Sequence, residues 1–124
     1  TLRLIGLLWS LFEGEGVLLL EEPELSLHNA IVGKIPGMIA QIQRKGRRQI
    51  IVSTHSPEML SDRGIGGEEV VLLQTGAEGT TVKLASDVHG LRQQLEAGLS
   101  VADAVLPLTA PANSAQLSRA IHVA

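Results

Sequence analysis

The chain has 124 residues, a formal net charge of −3, 44% hydrophobic residues and 19% charged residues. This balance is typical of a folded globular piece and argues against a disordered chain or a basic tail that binds nucleic acid. The sequence contains no cysteine, which excludes disulfides and cysteine-based metal sites, and a cytoplasmic location fits that absence. The longest nearly apolar run is Leu4 to Phe12, well short of the roughly 18 to 20 residues that a membrane span needs.

The first two predicted elements are a helix and a strand. Residues Leu2 to Phe12 are apolar on most faces, so we expect a helix that is buried between a sheet and its neighbours. Gly14 and Gly16 end this helix. Residues Val17 to Leu20 form an aliphatic run that predicts a strand buried on both faces, as in parallel sheets.

Two adjacent carboxylates, Glu21 and Glu22, end the first strand, and a proline follows them. Successive strand residues point to opposite faces, so the two carboxylates can serve two different targets, a metal ion and a water. We expect Pro23 to hold Glu22 extended and to stop the strand.

A second strand is predicted downstream, over Gln49 to Ser53, and it leads into Thr54, His55, Ser56 and Pro57. The residues between the strands, Asn29 to Arg44, carry an apolar stripe of helical period, which predicts a crossover helix that Pro36 kinks or divides. A crossover of this length suits two parallel strands, whose carboxyl ends then meet at one edge. Ligands collect at that edge in open α/β sheets. Ser56 and Pro57 predict the start of a short helix.

The remaining residues predict a hairpin and two helices. Glu69 to Thr75 and Thr80 to Ala85 form a hairpin that we expect to extend the sheet at one edge. Asp87 is expected to cap a helix that runs through Leu95. A tail from residue 109 to residue 124 is expected to be poorly ordered.

The last predicted helix runs from Val101 to Leu106. Ser100 is expected to cap it with Asp103 as its capping-box partner, and Pro107 is expected to stop it.

The carboxylate pair, the following segment and the strand-end histidine, in this order, resemble the C-terminal half of an ABC-superfamily ATPase head of the RecF/SMC/OLD-like, "AAA family" kind. The resemblance covers residues 1–108, best in the first two-thirds of the chain. It implies a partial P-loop NTPase fold of the α/β class, with parallel strands, crossover helices and an edge hairpin. Residues Glu24 to His28 fall on the D-loop and His55 on the switch histidine of the H-loop.

The resemblance implies ATP hydrolysis at a composite dimer site, with ATP and Mg²⁺ as cofactors. Glu21, at the Walker B position, would hold Mg²⁺ through a water, and Glu22 would polarise the attacking water. His55 would contact the γ-phosphate. Ser26 and His28 would contribute to nucleotide binding through the D-loop, although a role as a helix cap stays open for His28. The intact protein would form a homodimer through its nucleotide sites.

No phosphate-binding loop of the form G-x-x-x-x-G-K-[ST] occurs in the sequence. Because that loop cradles the phosphates, we expect the chain to need an upstream P-loop segment and to be inactive alone. A first residue of Thr rather than Met also suggests a fragment. Glu at position 21, where Asp is commoner, favours the RecF/OLD branch over transporter-type heads.

Two other classes of function remain open. One is a metal-dependent nuclease with Glu21, Glu22 and Glu24 as ligands, which lacks support because the sequence has no Asp-x-Asp cluster. The other is a non-catalytic fragment that only pairs with a partner. The basic residues Arg44, Lys45, Arg47 and Arg48 favour a solvated helix end over a DNA site, because the net charge is negative and aromatic residues are absent nearby. These arguments do not exclude DNA as a partner of the intact protein.

Overall fold

The structure is a computed structural model that describes residues 2–46 and 48–110. Helices flank and connect two strands in the first half, and a hairpin and two helices follow. In chain order they are α1 (Leu2–Phe12), β1 (Leu18–Glu21), α2 (Asn29–Val32), α3 (Ile35–Lys45), β2 (Ile50–Ser53), α4 (Pro57–Leu60), β3 (Val71–Gly76), β4 (Gly79–Leu84), α5 (His89–Glu96) and α6 (Val101–Thr109). Short 3₁₀ turns cover Gly67–Glu69 and Ala85–Asp87.

Strands β1 and β2 pair in parallel, as predicted, with Leu18 opposite Ile50 and Glu21 opposite Ser53. The prediction that both faces of the strands are buried was wrong. Exposure alternates along each strand, and Leu19 and Ile51 are 71% and 51% exposed. Helices α1 and α3 pack against one face only, and no described residue covers the other.

The first hydrophobic core lies under the covered face of this sheet. Its buried members come from α1, α2, α3 and α4, namely Leu7, Leu11, Val32, Ile35 and Met59. The expectation that α1 is buried between the sheet and its neighbours was wrong for its outer side, since Trp9 and Phe12 are 64% and 72% exposed. A single helix can bury only the side that meets the sheet.

The crossover is divided into two helices, as the proline predicted. The division falls at Gly33 and Lys34, and Pro36 lies in the first turn of α3. A proline is tolerated there because the first backbone N–H groups of a helix have no partner within the helix.

The hairpin forms with the predicted antiparallel pairing, but it makes a separate two-stranded sheet. Its expected place at the edge of the parallel sheet was therefore wrong. Strand β3 instead turns one side toward helix α6, and Leu72 is buried in a second core. The other members of that core are Ala85, Leu91, Val101, Ala104 and Val105.

Helix α4 joins the two cores, because Met59 lies in the first and Leu60 packs against the second.

Three features were predicted for the ends of the last two helices, and the structure agrees with one of them. Ser100 accepts the Asp103 N–H at 3.2 Å, and the Asp103 carboxylate accepts the Ser100 N–H at 3.3 Å, which confirms the capping box. Asp87 lies in a 3₁₀ turn, and α5 begins after Val88 without a side-chain cap. Pro107 does not stop α6, which continues to Thr109 because buried residues hold the helix on the opposite face.

The described helices are all too short or too polar to cross a bilayer. The tail predicted for residues 109–124 lies outside the described residues, except for Thr109 and Ala110. The domain bounds inferred from the resemblance stay a prediction.

Candidate functional site

The carboxyl ends of β1 and β2 bring Glu22 and His55 together. Glu21 pairs with Ser53 in the strand register, and the Glu22 N–H donates to the Ser53 carbonyl at 2.9 Å. Beyond these residues, Nε2 of His55 contacts Oε1 of Glu22. The His55 side chain is 82% exposed and that of Glu22 is 29% exposed. A partly buried carboxylate therefore lies beside an exposed histidine at the strand ends.

The loop after β1 has an unusual backbone. Glu22 and Ser26 have φ angles of +40° and +68°, and they are the non-glycine residues with positive φ in the described part of the chain. The Leu25 N–H donates to the Glu22 carbonyl at 3.1 Å, so the chain turns directly after the strand. The expectation that Pro23 holds Glu22 extended was therefore wrong, because the turn imposes a left-handed conformation on Glu22. Such strain persists only where the surroundings enforce it, and it is frequent at functional sites.

A shallow cleft of about 310 Å³ opens at this edge of the sheet. Glu22, Ser26 and His55 contribute to its wall, whereas Glu21 and His28 do not. The remaining lining residues are Glu24, Leu25, Leu27, Asn29, Val32, Ser56 and Glu58. The cleft is thus rich in carboxylates and open enough to admit a ligand group.

Glu22 lines the cleft, whereas Glu21 does not. Glu21 is exposed at the end of β1, away from the cleft. Among the described residues no three His, Asp or Glu side chains are grouped so that they could hold a metal ion. The metal role of Glu21 stays a prediction.

His28 caps helix α2. Its Nδ1 accepts the Ala30 N–H at 3.2 Å, and its backbone is extended, as is typical of an N-cap residue. Of the two roles left open by the sequence, the helix cap is the one that the geometry displays. The nucleotide-binding role inferred for His28 and Ser26 stays a prediction.

A chain of polar contacts, which the sequence analysis missed, lies behind the Glu22–His55 pair. The Thr54 hydroxyl donates to Oε1 of Glu24 and accepts the Ser56 N–H at 3.0 Å. The Ser56 hydroxyl donates to Glu58 at 3.0 Å, and Asn29 donates to the other oxygen of Glu58 at 2.9 Å. The bonds from Thr54 to Glu24 and from Asn29 to Glu58 join residues about thirty positions apart, so no local pattern in the sequence could have found them.

Helix α4 begins at the predicted position. The Ser56 hydroxyl accepts the Met59 N–H at 3.3 Å, and Pro57 follows as the first helical residue. His55 is therefore the residue directly before the capped start of α4.

Arg48 differs from the solvated helix end that was expected for the basic residues. Its Nη1 donates to the carbonyls of Ser10 (2.7 Å) and Glu13, at the C-terminal end of α1. The guanidinium therefore satisfies carbonyls that the helix leaves free. Arg44 and Lys45 do lie exposed in the last turn of α3, as predicted, and Arg47 is outside the described residues.

Residues 1–61 match the family described as "AAA domain, putative AbiEii toxin, Type IV TA system". This match supports an AAA-type, ATPase-related domain and, at a general level, nucleotide binding. The matched residues include both strand ends, the loop between Glu22 and Ser26, and His55. No curated protein and no solved structure matches the chain.

Proposed function

We propose that the chain supplies the carboxylate and histidine part of an ATP-hydrolysing site in an ABC-type head of the RecF/SMC/OLD-like kind. The observation that carries this proposal is the contact between Glu22 and His55 at the carboxyl ends of two adjacent parallel strands. Ligands of α/β sheets bind at such ends. The match of residues 1–61 to an AAA domain supports the same class of function.

Glu22 is the general base of the proposed site. Its carboxylate borders the cleft and is only 29% exposed, which suits a group that orients and polarises a water attacking the γ-phosphate. His55 is the proposed contact to a γ-phosphate oxygen, because its exposed ring can turn from Glu22 toward a bound ligand.

The phosphates themselves need a cradle that this sequence does not contain. A P-loop supplies backbone N–H groups and a lysine to the phosphates, and we propose that a separate P-loop segment provides them. The uncovered face of the parallel sheet, which includes Leu19 and Ile51, is where such a segment would complete the fold. Mg²⁺ would enter with the nucleotide, and Glu21 is the carboxylate proposed to face it. Ser26, in the D-loop, would lie near a homodimer interface.

The test is reconstitution. We expect the purified 124-residue chain to show no Mg²⁺-dependent ATP turnover, and co-expression with a P-loop segment of an ABC-type head to restore it. In the restored complex, Glu22→Gln should retain ATP while turnover falls by roughly 10²–10⁴, since an amide fills the same space but cannot act as a base. Glu78→Gln, in the hairpin turn, is the matched control and should turn over ATP normally.

Four outcomes would contradict the proposal. Turnover by the chain alone, abolished by Glu22→Gln, would show that no P-loop segment is needed. Near-normal turnover of Glu22→Gln in the complex would exclude Glu22 as the base. Mg²⁺-dependent nicking of plasmid DNA without ATP turnover would favour a nuclease, and ATP binding without turnover in the wild-type complex would favour a non-catalytic fragment.

A further inference from the structure

Thr54 lies between the two loops that present Glu22 and His55. It is the first residue after β2, and its hydroxyl donates to the Glu24 carboxylate in the loop after β1. The same hydroxyl accepts the Ser56 N–H at 3.0 Å. One side chain therefore ties the loop after β1 to the backbone on both sides of His55.

His55 needs such support because its own contacts are weak. Its side chain is 82% exposed, and its contact with Glu22 is an exposed pair of the kind that contributes little to order. An exposed side chain also has several rotamers available, each of which points elsewhere. The position of the ring therefore depends on how firmly residues 54 to 56 are held.

Glu22 is held from the same place. Its N–H donates to the Ser53 carbonyl at 2.9 Å, next to Thr54, and Glu24 is tied to Thr54 two residues later. Between these two bonds lies the left-handed turn at Glu22, a conformation that is sterically unfavourable for a residue with a side chain. Without the second bond this strained turn would have less to oppose its relaxation.

We infer that Glu24 and Thr54 are positioning residues, which hold the loops so that Glu22 and His55 meet. This inference rests on the proposed function for its effect on turnover, but its structural part is independent of ATP. Glu24 acts as a hydrogen-bond acceptor for Thr54. Its second oxygen, Oε2, is buried without a partner among the described residues. Negative charge on Glu24 is not needed for this role.

Four variants distinguish the Thr54 hydroxyl, the acceptor oxygen of Glu24 and the charge of Glu24. Thr54→Val removes the hydroxyl and keeps the shape, whereas Thr54→Ser keeps the hydroxyl. Glu24→Ala removes the acceptor. Glu24→Gln keeps an oxygen for Thr54 and places its amide nitrogen where Oε2 lies unpartnered, so it removes charge without removing the bond.

The first measurement is made by NMR on the 124-residue chain. In Thr54→Val we expect the Ser56 amide to exchange roughly three- to tenfold faster, since one hydrogen bond contributes about 0.5–1.5 kcal/mol. The cross-relaxation signal between the His55 ring and the Glu22 side chain should weaken in Thr54→Val and Glu24→Ala. Both signals should stay at the wild-type level in Thr54→Ser and Glu24→Gln.

The second measurement is turnover in the complex with a P-loop segment. Thr54→Val and Glu24→Ala should lower kcat about tenfold or more and leave KM within a few-fold, while Thr54→Ser and Glu24→Gln turn over normally. A role in general stability would not separate kcat from KM in this way.

An unchanged His55–Glu22 signal in Thr54→Val would overturn the inference, whatever the turnover. So would a Glu24→Gln variant as impaired as Glu24→Ala, which would show that Glu24 acts through its charge. If the NMR changes occur as expected but the wild-type complex does not hydrolyse ATP, the proposed function fails and the positioning role stands. If Thr54→Val does not fold, the comparison of Glu24→Ala with Glu24→Gln makes the same decision.

Discussion

Glu22 combines two steric restrictions, since it has a positive φ of +40° and directly precedes a proline. The sequence predicted that Glu22 and His55 would share a strand end, because both follow apolar strands that a crossover joins. It did not predict the left-handed turn, since the proline pattern alone favours an extended residue. The bond from the Glu22 N–H to the Ser53 carbonyl and the turn closed by Leu25 decide the conformation instead.

The hydrogen bond of the Thr54 hydroxyl likewise could not be predicted from the sequence. Its partner, Glu24, is thirty residues away, and the bond exists only because β1 and β2 lie side by side. A strand-end histidine can be recognised from local patterns, but the side chains that hold it in place cannot.

At the scale of single residues we expect His55→Ala to affect turnover and little else. In the complex with a P-loop segment, kcat should fall by about 10²–10³, as is typical when one contact to developing charge is lost, and nucleotide affinity should stay within a few-fold. The thermal midpoint should barely change, because the side chain is 82% exposed.

The control for this variant is His89→Ala, at the exposed start of α5, which should not alter kcat. A loss of affinity with unchanged kcat, or no change in either quantity, would return His55 to the status of an ordinary loop histidine. Both constants come from one steady-state titration of ATP, so the two results are readily separated.

At the scale of elements, apolar periodicity and the Ser56 and Ser100 caps predicted where a helix or strand lies, whereas Asp87 did not cap α5. Helix α1 and the hairpin occur where the apolar pattern and the turn residues placed them, and Ser100 begins α6 with its capping box. Pro107 did not end that helix, because the packing of Val101 and Val105 outweighs the loss of one helix bond. Which sheet the hairpin joins was not predictable, since pairing within a hairpin is local and its packing partner is not.

The capping box can be tested by Ser100→Ala. This variant removes the acceptor for the Asp103 N–H and the group that Asp103 itself contacts. The free energy of unfolding should fall by about 1 kcal/mol, within the range of roughly 0.5–2 kcal/mol for such caps. Urea denaturation followed by circular dichroism measures this quantity. Ser100→Thr keeps a hydroxyl and should cost less; equal losses for both variants would show that the cap adds nothing.

At the scale of the whole molecule, the two cores differ in how completely they are covered. The parallel sheet is packed on one face by helices, while the other face leaves Leu19 and Ile51 open to solvent. Parallel sheets almost always have both faces covered, so we expect another segment to pack on this face. The outer side of α1 also exposes large apolar side chains, those of Trp9 and Phe12. The sequence predicted the parallel pairing but assumed a cover that the described residues do not supply.

We therefore expect the open face to be the docking site of the proposed P-loop segment. Leu19 and Ile51 are register partners, and replacing both with lysine should weaken association at least about a hundredfold. Burial of each side chain contributes roughly 1.5–3 kcal/mol, and about 1.4 kcal/mol corresponds to tenfold in affinity. Titration calorimetry of the chain with the P-loop segment gives the affinity. The chain's own thermal midpoint should change little, because both positions are already more than half exposed.

Leu73 and Val82 are a matched pair for this experiment. They are register partners in the hairpin and are 62% and 64% exposed, so the double lysine variant adds the same charge on the same kind of surface. Its affinity for the P-loop segment should equal that of the wild type, because the hairpin lies in a separate sheet with its own core. Equal weakening by both double variants would indicate a general effect of charge. Weakening by the hairpin variant alone would move the docking site to the second sheet and leave the open face of the first without a role in ATP turnover.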